Sequence, residues 1–241
     1  MLNFNQFEVL SFDCYGTLID WENGILPVLK NLLENHRINQ RDRQILELFA
    51  EFESELEKSS NELLNEHIKY RQVLRQVVQK ISERFNFVAT EAELNSLPDS
   101  LKNWQPFPDT VDALQALKKR FRLAIISNTD DELFADTAKH LQVEFDWIIT
   151  AEQVKSYKPS PRNFEVAIQK MGISPDKLLH VAESIYHDII PVKAMGLSAI
   201  WVNRRVGKIG FGATKAAIGE ADLEVPDLQT LVSLTGLIPF L

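Results

Sequence analysis

Cysteine is almost absent from these 241 residues. The lone thiol, Cys14, has no partner for an intramolecular disulfide, which fits a reducing compartment. Positive charge is also in deficit, with 26 Lys and Arg against 34 Asp and Glu, a formal net charge of -8. That balance argues against nonspecific nucleic-acid binding, which needs a positive field facing phosphates. A small anionic substrate stays open, because a local pocket can be positive on an acidic chain. No apolar run approaches the ~18 residues of a membrane span. The opening Met-Leu-Asn-Phe-Asn-Gln lacks the positive start and apolar stretch of a secretory signal. A cytoplasmic protein that engages neither membrane nor nucleic acid is expected. Repeats and low-complexity tracts are missing, and 45% apolar with 25% charged residues is ordinary for a globular chain.

What is present is a change of rhythm. Phe7 to Phe12 is an apolar run that stops at Asp13 and predicts a buried strand followed by a turn. From Trp21 to about Asn103 the pattern is helical. Ile45, Leu48, Phe49, Phe52 and Leu56 form one stripe, and Val73, Leu74, Val77, Val78 and Ile81 another. The glutamates at 51, 53, 55 and 57 read as the solvated face of the first of these helices. After Pro106 and Pro108, strands predicted at Leu123–Ile126, Trp147–Ile149, Leu178–Ala182 and Ala199–Val202 alternate with helices. Such alternation predicts an α/β fold, a parallel sheet covered on both faces. The core is placed at 1–20 and 104–241, with 21–103 as an inserted helical block.

In open parallel sheets ligands bind beyond the carboxyl ends of the strands. The polar residues there are Asp13, Tyr15 and Thr17; then Ser127 and Asn128; then Lys158; then Glu183, Ser184 and Asp188. Taken singly, Asp13 reads equally well as a turn or helix-cap residue, Asp188 reads as a cap, and Lys158 as a solvated surface charge. Together they offer a nucleophile, a hydroxyl, a cation and a carboxylate at four strand ends. Cys14 reads as buried packing, because alternation turns it away from Asp13 and no base adjoins it. His187 reads more readily as structural than as an acid or base. Gly207 to Gly212 is glycine-rich but lacks the Gly-Lys-Ser/Thr ending of a phosphate loop, so a rim loop is expected.

These residues resemble the four ordered motifs of the haloacid dehalogenase superfamily: Asp13-Cys14-Tyr15-Gly16-Thr17, Ser127-Asn128, Lys158-Pro159, and Glu183-Ser184 with Asp188. The resemblance spans the whole core. It implies a Rossmann-like parallel sheet core with an inserted helical cap domain. It also implies a hydrolase in which Asp13 attacks, Thr17 orients it, Lys158 keeps it ionised, and Ser127 with Asn128 holds an anionic group. Asp188 would hold Lys158 or a metal. The substrate would be small and anionic, bound between cap and core, and a homodimer is compatible with it.

Tyr15 decides the expected chemistry. Phosphatases of this superfamily usually place a second aspartate there to protonate the leaving oxygen, whereas the haloacid dehalogenases place tyrosine, since a halide needs no proton to leave. Dehalogenation of a small 2-haloacid, with no cofactor, is therefore the first expectation. Three features depart from it. Residues 44–70 lack the arginine that cradles the halide, leaving Arg71, with Arg43, as a substitute in substrate binding. Phe164 stands where those enzymes carry tyrosine, and Glu183 and Ile185 where they carry serine and asparagine. Glu183 with Asp188 instead resembles metal-dependent members. Asp13, the Tyr15 carbonyl, Asp188 and Glu183 would then hold Mg²⁺ in a phosphatase acting on a small phosphoester. A binding protein with this fold and no catalysis is the third alternative.

Overall fold

The computed structural model describes residues 2–63 and 66–237. Six parallel strands form one sheet: β1 (Val9–Phe12), β2 (Arg122–Ser127), β3 (Trp147–Thr150), β4 (Leu178–Ala182), β5 (Ser198–Val202) and β6 (Leu223–Val225). Their order in space is β3-β2-β1-β4-β5-β6, so β1 lies in the interior of the sheet. Register pairs Phe12 with Ile125 on one side and Val181 on the other. The carboxyl ends of β1, β2 and β4 therefore lie side by side.

Alternation sorts the strand side chains onto two faces. Leu10, Phe12, Leu123, Ile125, Leu179, Val181, Ile200 and Val202 enter one buried apolar cluster. Val9, Ala124, Ile126, Ile149, Leu178, Ala182 and Ala199 enter another. The near-continuous apolar strands follow from this double burial. Helices α5 (Thr110–Leu117), α6 (Asp131–Leu141), α7 (Ala151–Val154), α8 (Arg162–Met171), α9 (Ile190–Ala194) and α10 (Leu228–Leu234) alternate with the strands.

Between β1 and α5 the named strands give way to four helices: α1 (Trp21–Asn35), α2 (Asp42–Glu62), α3 (Tyr70–Arg84) and α4 (Glu91–Ser100). The first apolar cluster runs on into this block. Trp21 meets Phe49 edge-on at 5.6 Å, and Tyr15 meets Trp104 edge-on at 5.8 Å. Polar contacts join the two parts as well. Asp130, beyond β2, accepts the Tyr70 and Arg71 backbone N–H groups at 2.8 and 2.9 Å and so caps α3 from outside it. No helix among the described residues is long and apolar enough to cross a membrane.

Candidate active site

β1 ends at Phe12, and the Asp13 N–H donates to Val181 O at 3.1 Å, which fixes Asp13 at the mouth of the sheet. Gly16 then turns the chain with φ +90, and a Cβ there would fall 2.8 Å from Trp21 Nε1. The turn needs glycine on both counts. It brings Thr17 back, so that its hydroxyl donates to Asp13 Oδ2 at 2.8 Å and accepts the Glu183 N–H at 2.9 Å.

Lys158 is 1% exposed and spends its three ammonium protons here. It donates to Asp13 Oδ1 at 2.8 Å, Asp188 Oδ1 at 2.6 Å and Ile126 O at 2.9 Å. Asn128 clips the lysine backbone from both sides, accepting the Lys158 N–H at 2.7 Å and donating to Lys158 O at 3.0 Å. Asp188 is braced by His180 Nε2 at 2.9 Å, and His180 Nδ1 lies 2.8 Å from Ser11 Oγ. His180 was not legible as a site residue, because it sits inside the run that predicts β4.

Burial pushes the Asp13 carboxyl above its ordinary value; Lys158 opposes this and Asp188 adds to it. Asp188 is held below its usual range because Lys158 and His180 outweigh its burial. Burial pulls the Lys158 ammonium down, but Asp13 and Asp188 outweigh that and hold it charged. Two carboxylates thus share one cation, and of the two Asp13 takes up a proton first.

Asp13 opens onto a narrow cavity of about 30 Å³. Tyr15, Ser127, Asn128, Lys158 and Asp188 line it, as the strand-end argument predicts. Ser127 Oγ is buried and has no partner among the described residues, so it is free to hold a ligand. The Tyr15 hydroxyl is instead 2.8 Å from Thr137 Oγ1, and burial drives its pKa well up. Trp21, Tyr70, Ser184 and His187 complete the wall with Glu53 and Glu57.

The two glutamates correct the expected solvated face of α2. Glu51 and Glu55 are exposed, but Glu53 and Glu57 are buried. Phe49, Glu53, Glu57 and Ser60 follow one another at intervals of three and four, which is the signal that places them on the buried side. The Tyr70 hydroxyl donates to Glu53 Oε1 at 2.5 Å, and Asn128 Nδ2 donates to both Glu57 oxygens at 3.1 Å. Burial and the neighbouring Glu57 push Glu53 up to about 8, and burial holds Glu57 well above the usual carboxylate range. A carboxyl with a folded value near 8 and an ordinary value of 4.5 keeps its proton longer when folded. Glu53 therefore destabilises the fold increasingly as pH rises from about 4.5 through 8. Glu53→Gln should flatten that slope and raise the melting temperature at pH 8, as read by thermal melts across this range.

Three expected residues are not brought in. Arg71 does not line the cavity; its guanidinium pairs with Asp99 at 2.7 Å on the surface, and Arg43 pairs with Glu47. Helix geometry turns Arg71 outward just where it turns Tyr70 inward. Arg71→Ala should change kcat/KM by less than about threefold and stability by under about 1 kcal/mol, measured by steady-state assay and melt. Glu183 also faces elsewhere. Its Oε2 accepts from Thr214 at 2.7 Å in a separate cavity with Trp201 and Arg205. Of the residues expected to hold Mg²⁺, Asp13, Tyr15 and Asp188 line the cavity and Glu183 does not; Lys158 occupies Oδ1 of both aspartates, while Asp188 Oδ2 is buried with no partner among the described residues. Among the described residues no three His, Cys, Asp or Glu side chains are grouped to hold a metal. Cys14 is buried in the apolar cluster and does not line the cavity.

A family model for haloacid dehalogenase-like hydrolases matches residues 7–196. The chain belongs to the haloacid dehalogenase-like hydrolases. Haloacetate dehalogenase H-2 of Moraxella sp. (strain B) is 31% identical over 148 residues, 60% of this chain and 63% of that protein. Glyceraldehyde 3-phosphate phosphatase of Methanothermobacter thermautotrophicus is 35% identical over 102 residues, 41% of this chain and 45% of that protein. The matched stretch thus spans less than two thirds of either relative. The solved L-2-haloacid dehalogenase of Xanthobacter autotrophicus shares the fold, with a TM-score of 0.79 at 19% identity, covering 95% of this chain and 98% of that one. Within this haloacid dehalogenase-like hydrolase, then, the wall opposite Asp13 carries buried carboxyls and no arginine.

Proposed function

We propose that the protein is a hydrolase that uses Asp13 as a covalent nucleophile on small 2-haloacids. The observation that carries the reading is the 2.8 Å contact between Asp13 and Lys158 at the floor of a cavity lined by Ser127. The substrate carboxylate is held near Ser127 Oγ. The Asp13 carboxylate attacks carbon 2, the carbon–halogen bond breaks with its electron pair leaving on the halide, and an aspartyl ester forms. Water then cleaves the ester. Thr17 and Lys158 keep the carboxylate aimed and charged, and Asn128 keeps Lys158 in place. The helical block at 21–103 acts as the cap, whose closure excludes bulk water and strengthens these contacts. Tyr15 offers no acid at the position where a phosphatase needs one, which favours halide as the leaving group. We place this activity in the cytoplasm.

One observation favours a second reading. Glu57 sits on the cavity wall and holds its proton, so it could protonate a leaving oxygen in Tyr15's stead, work typically worth ~100- to 10,000-fold. Hydrolysis of a small phosphoester would follow. Chloride release from chloroacetate or 2-chloropropionate in EDTA, set against nitrophenol release from p-nitrophenyl phosphate with Mg²⁺, separates the two. The haloacid reading expects the first and fails if only the second occurs.

A further inference from the structure

In the haloacid reading His187 and Glu57 belong to no step of the attack, yet they face each other on the cavity wall. His187 Nε2 lies 3.3 Å from Glu57 Oε2. The approach is not aligned as a hydrogen bond, and Nε2 has no other partner among the described residues although it is buried. The other edge of the ring is fixed. Nδ1 lies 3.1 Å from Ser184 Oγ, and the same oxygen accepts the His187 backbone N–H at 3.0 Å. A single π-helical turn over Ile185–Ile189 follows, a geometry frequent at functional sites. The ring is thus anchored at one edge and presents a free nitrogen to a cavity it shares with Asp13. At about 30 Å³ that cavity suits one or two waters, each needing roughly 10–15 Å³.

We propose that His187, with Glu57 beside it, takes up and returns the proton of the water that hydrolyses the Asp13 intermediate. This rests on the covalent aspartyl reading above and holds for a carbon or a phosphorus ester. For a haloacid, the water oxygen bonds to Asp13 Cγ and one water proton passes to His187 Nε2. Collapse breaks the bond between Cγ and the oxygen that carries the substrate carbon. That alkoxide takes the proton back from Nε2 and leaves as the 2-hydroxy acid. The second water proton departs as the Asp13 carboxyl ionises beside Lys158.

The electrostatics suit this exchange. Burial lowers the His187 value, so the imidazole is neutral near pH 7 and able to accept. Glu53 and Glu57 from α2, Asp188 on its own turn, Asp13 at the end of β1 and Lys158 from the loop after α7 all surround it. Of these, Asp188 favours the imidazolium that forms and Lys158 opposes it; Glu53, which holds its proton near pH 7, and Asp13, esterified in the intermediate, bring no charge.

The test uses the full chain with chloroacetate as probe. Rapid-quench chloride release and intact-protein mass are followed for wild type, His187→Gln and Glu57→Gln. In H187Q we expect one chloride per chain at near wild-type speed, then turnover slowed by about 100-fold or more, with an ester adduct accumulating on Asp13. The slow phase should also lose the acidic limb that imidazole protonation gives the wild type. E57Q, which keeps an acceptor for Asn128, should slow the same phase and spare the burst. H187Q turning over within about threefold of wild type without an adduct overturns the proposal. So does loss of the burst itself in a variant that melts like wild type. If wild type releases no chloride, the haloacid reading has failed instead. The same design with p-nitrophenyl phosphate, reading a nitrophenolate burst, then decides for His187. An Asp13 that is never modified by either probe removes the covalent reading and this proposal with it.

Discussion

Asp13→Asn should lower turnover by at least about 1,000-fold on whichever substrate the wild type accepts, while melting within about 1 kcal/mol of it. The activity loss follows from chemistry. An amide oxygen has neither the charge nor the basicity to displace a leaving group, and no other side chain on the cavity wall stands in its place with Lys158. The unchanged stability follows from the charge count. Asp13 and Asp188 share one buried ammonium, so neutralising Asp13 leaves Lys158 and Asp188 as a balanced pair at 2.6 Å. The asparagine oxygen can still accept from Lys158. Rates by steady-state assay and melts by circular dichroism check both halves. An active D13N removes the nucleophile assignment, and an unfolded one leaves it to other variants. In wild type, activity should fall on acidification at a pH above the ordinary aspartate value of 3.8, because burial has raised Asp13 and the attacking form is the anion.

Lys158→Ala is the converse case and should damage the fold as well as the rate. It strands Asp13 and Asp188 in the interior with no cation between them, and it leaves Ile126 O without its donor. Removing one partner of a buried ion pair typically costs about 3–5 kcal/mol. For a chain of this length that corresponds to a fall of roughly 10 °C in melting temperature. Activity should vanish with it, because burial then raises Asp13 without Lys158 to oppose it and the attacking anion is disfavoured. The paired variant D13N/K158A tests the reasoning. It should recover part of the lost stability and none of the activity, since only Asp188 is then left uncompensated.

The sheet was legible because its strands are buried on both faces. Leu178–Ala182 appears as predicted, and Arg122–Ser127, Trp147–Thr150 and Ser198–Val202 differ from expectation by a residue or two at their ends. The first strand is shorter than its apolar run, since Phe7 packs outside the ladder. Leu223–Val225 and α10 carried too few apolar residues in series to be read. The core of the site was legible for a topological reason: a parallel sheet presents its strand ends together, so Asp13, Ser127, Lys158 and Asp188 converge once the strands are known.

The opposite wall was not. Which side of α2 faces Asp13 depends on how the helical block leans on the sheet, and a buried glutamate looks like a solvated one until that is known. Glu53 and Glu57 were therefore read with the wrong environment, and their raised pKa values are products of packing alone. Arg71 failed in the opposite direction. Its place at the edge of the arginine-free stretch 44–70 suggested the cavity, but adjacent helical residues differ by about 100° in facing direction, and at this turn it is Tyr70 that reaches it. Glu183 failed because the residue after a strand can turn to either side, and Thr214 holds it away.

The account stands on Asp13 forming a bond to the substrate. A single turnover of chloroacetate by excess enzyme in heavy-oxygen water, followed by mass analysis of the peptide containing Asp13, tests this directly. The label should appear in the Asp13 carboxylate, because water attacks Cγ and the product keeps an aspartate oxygen. Label found only in the glycolate, with Asp13 unmarked, would mean that water attacks the substrate itself and that the carboxylate is no nucleophile.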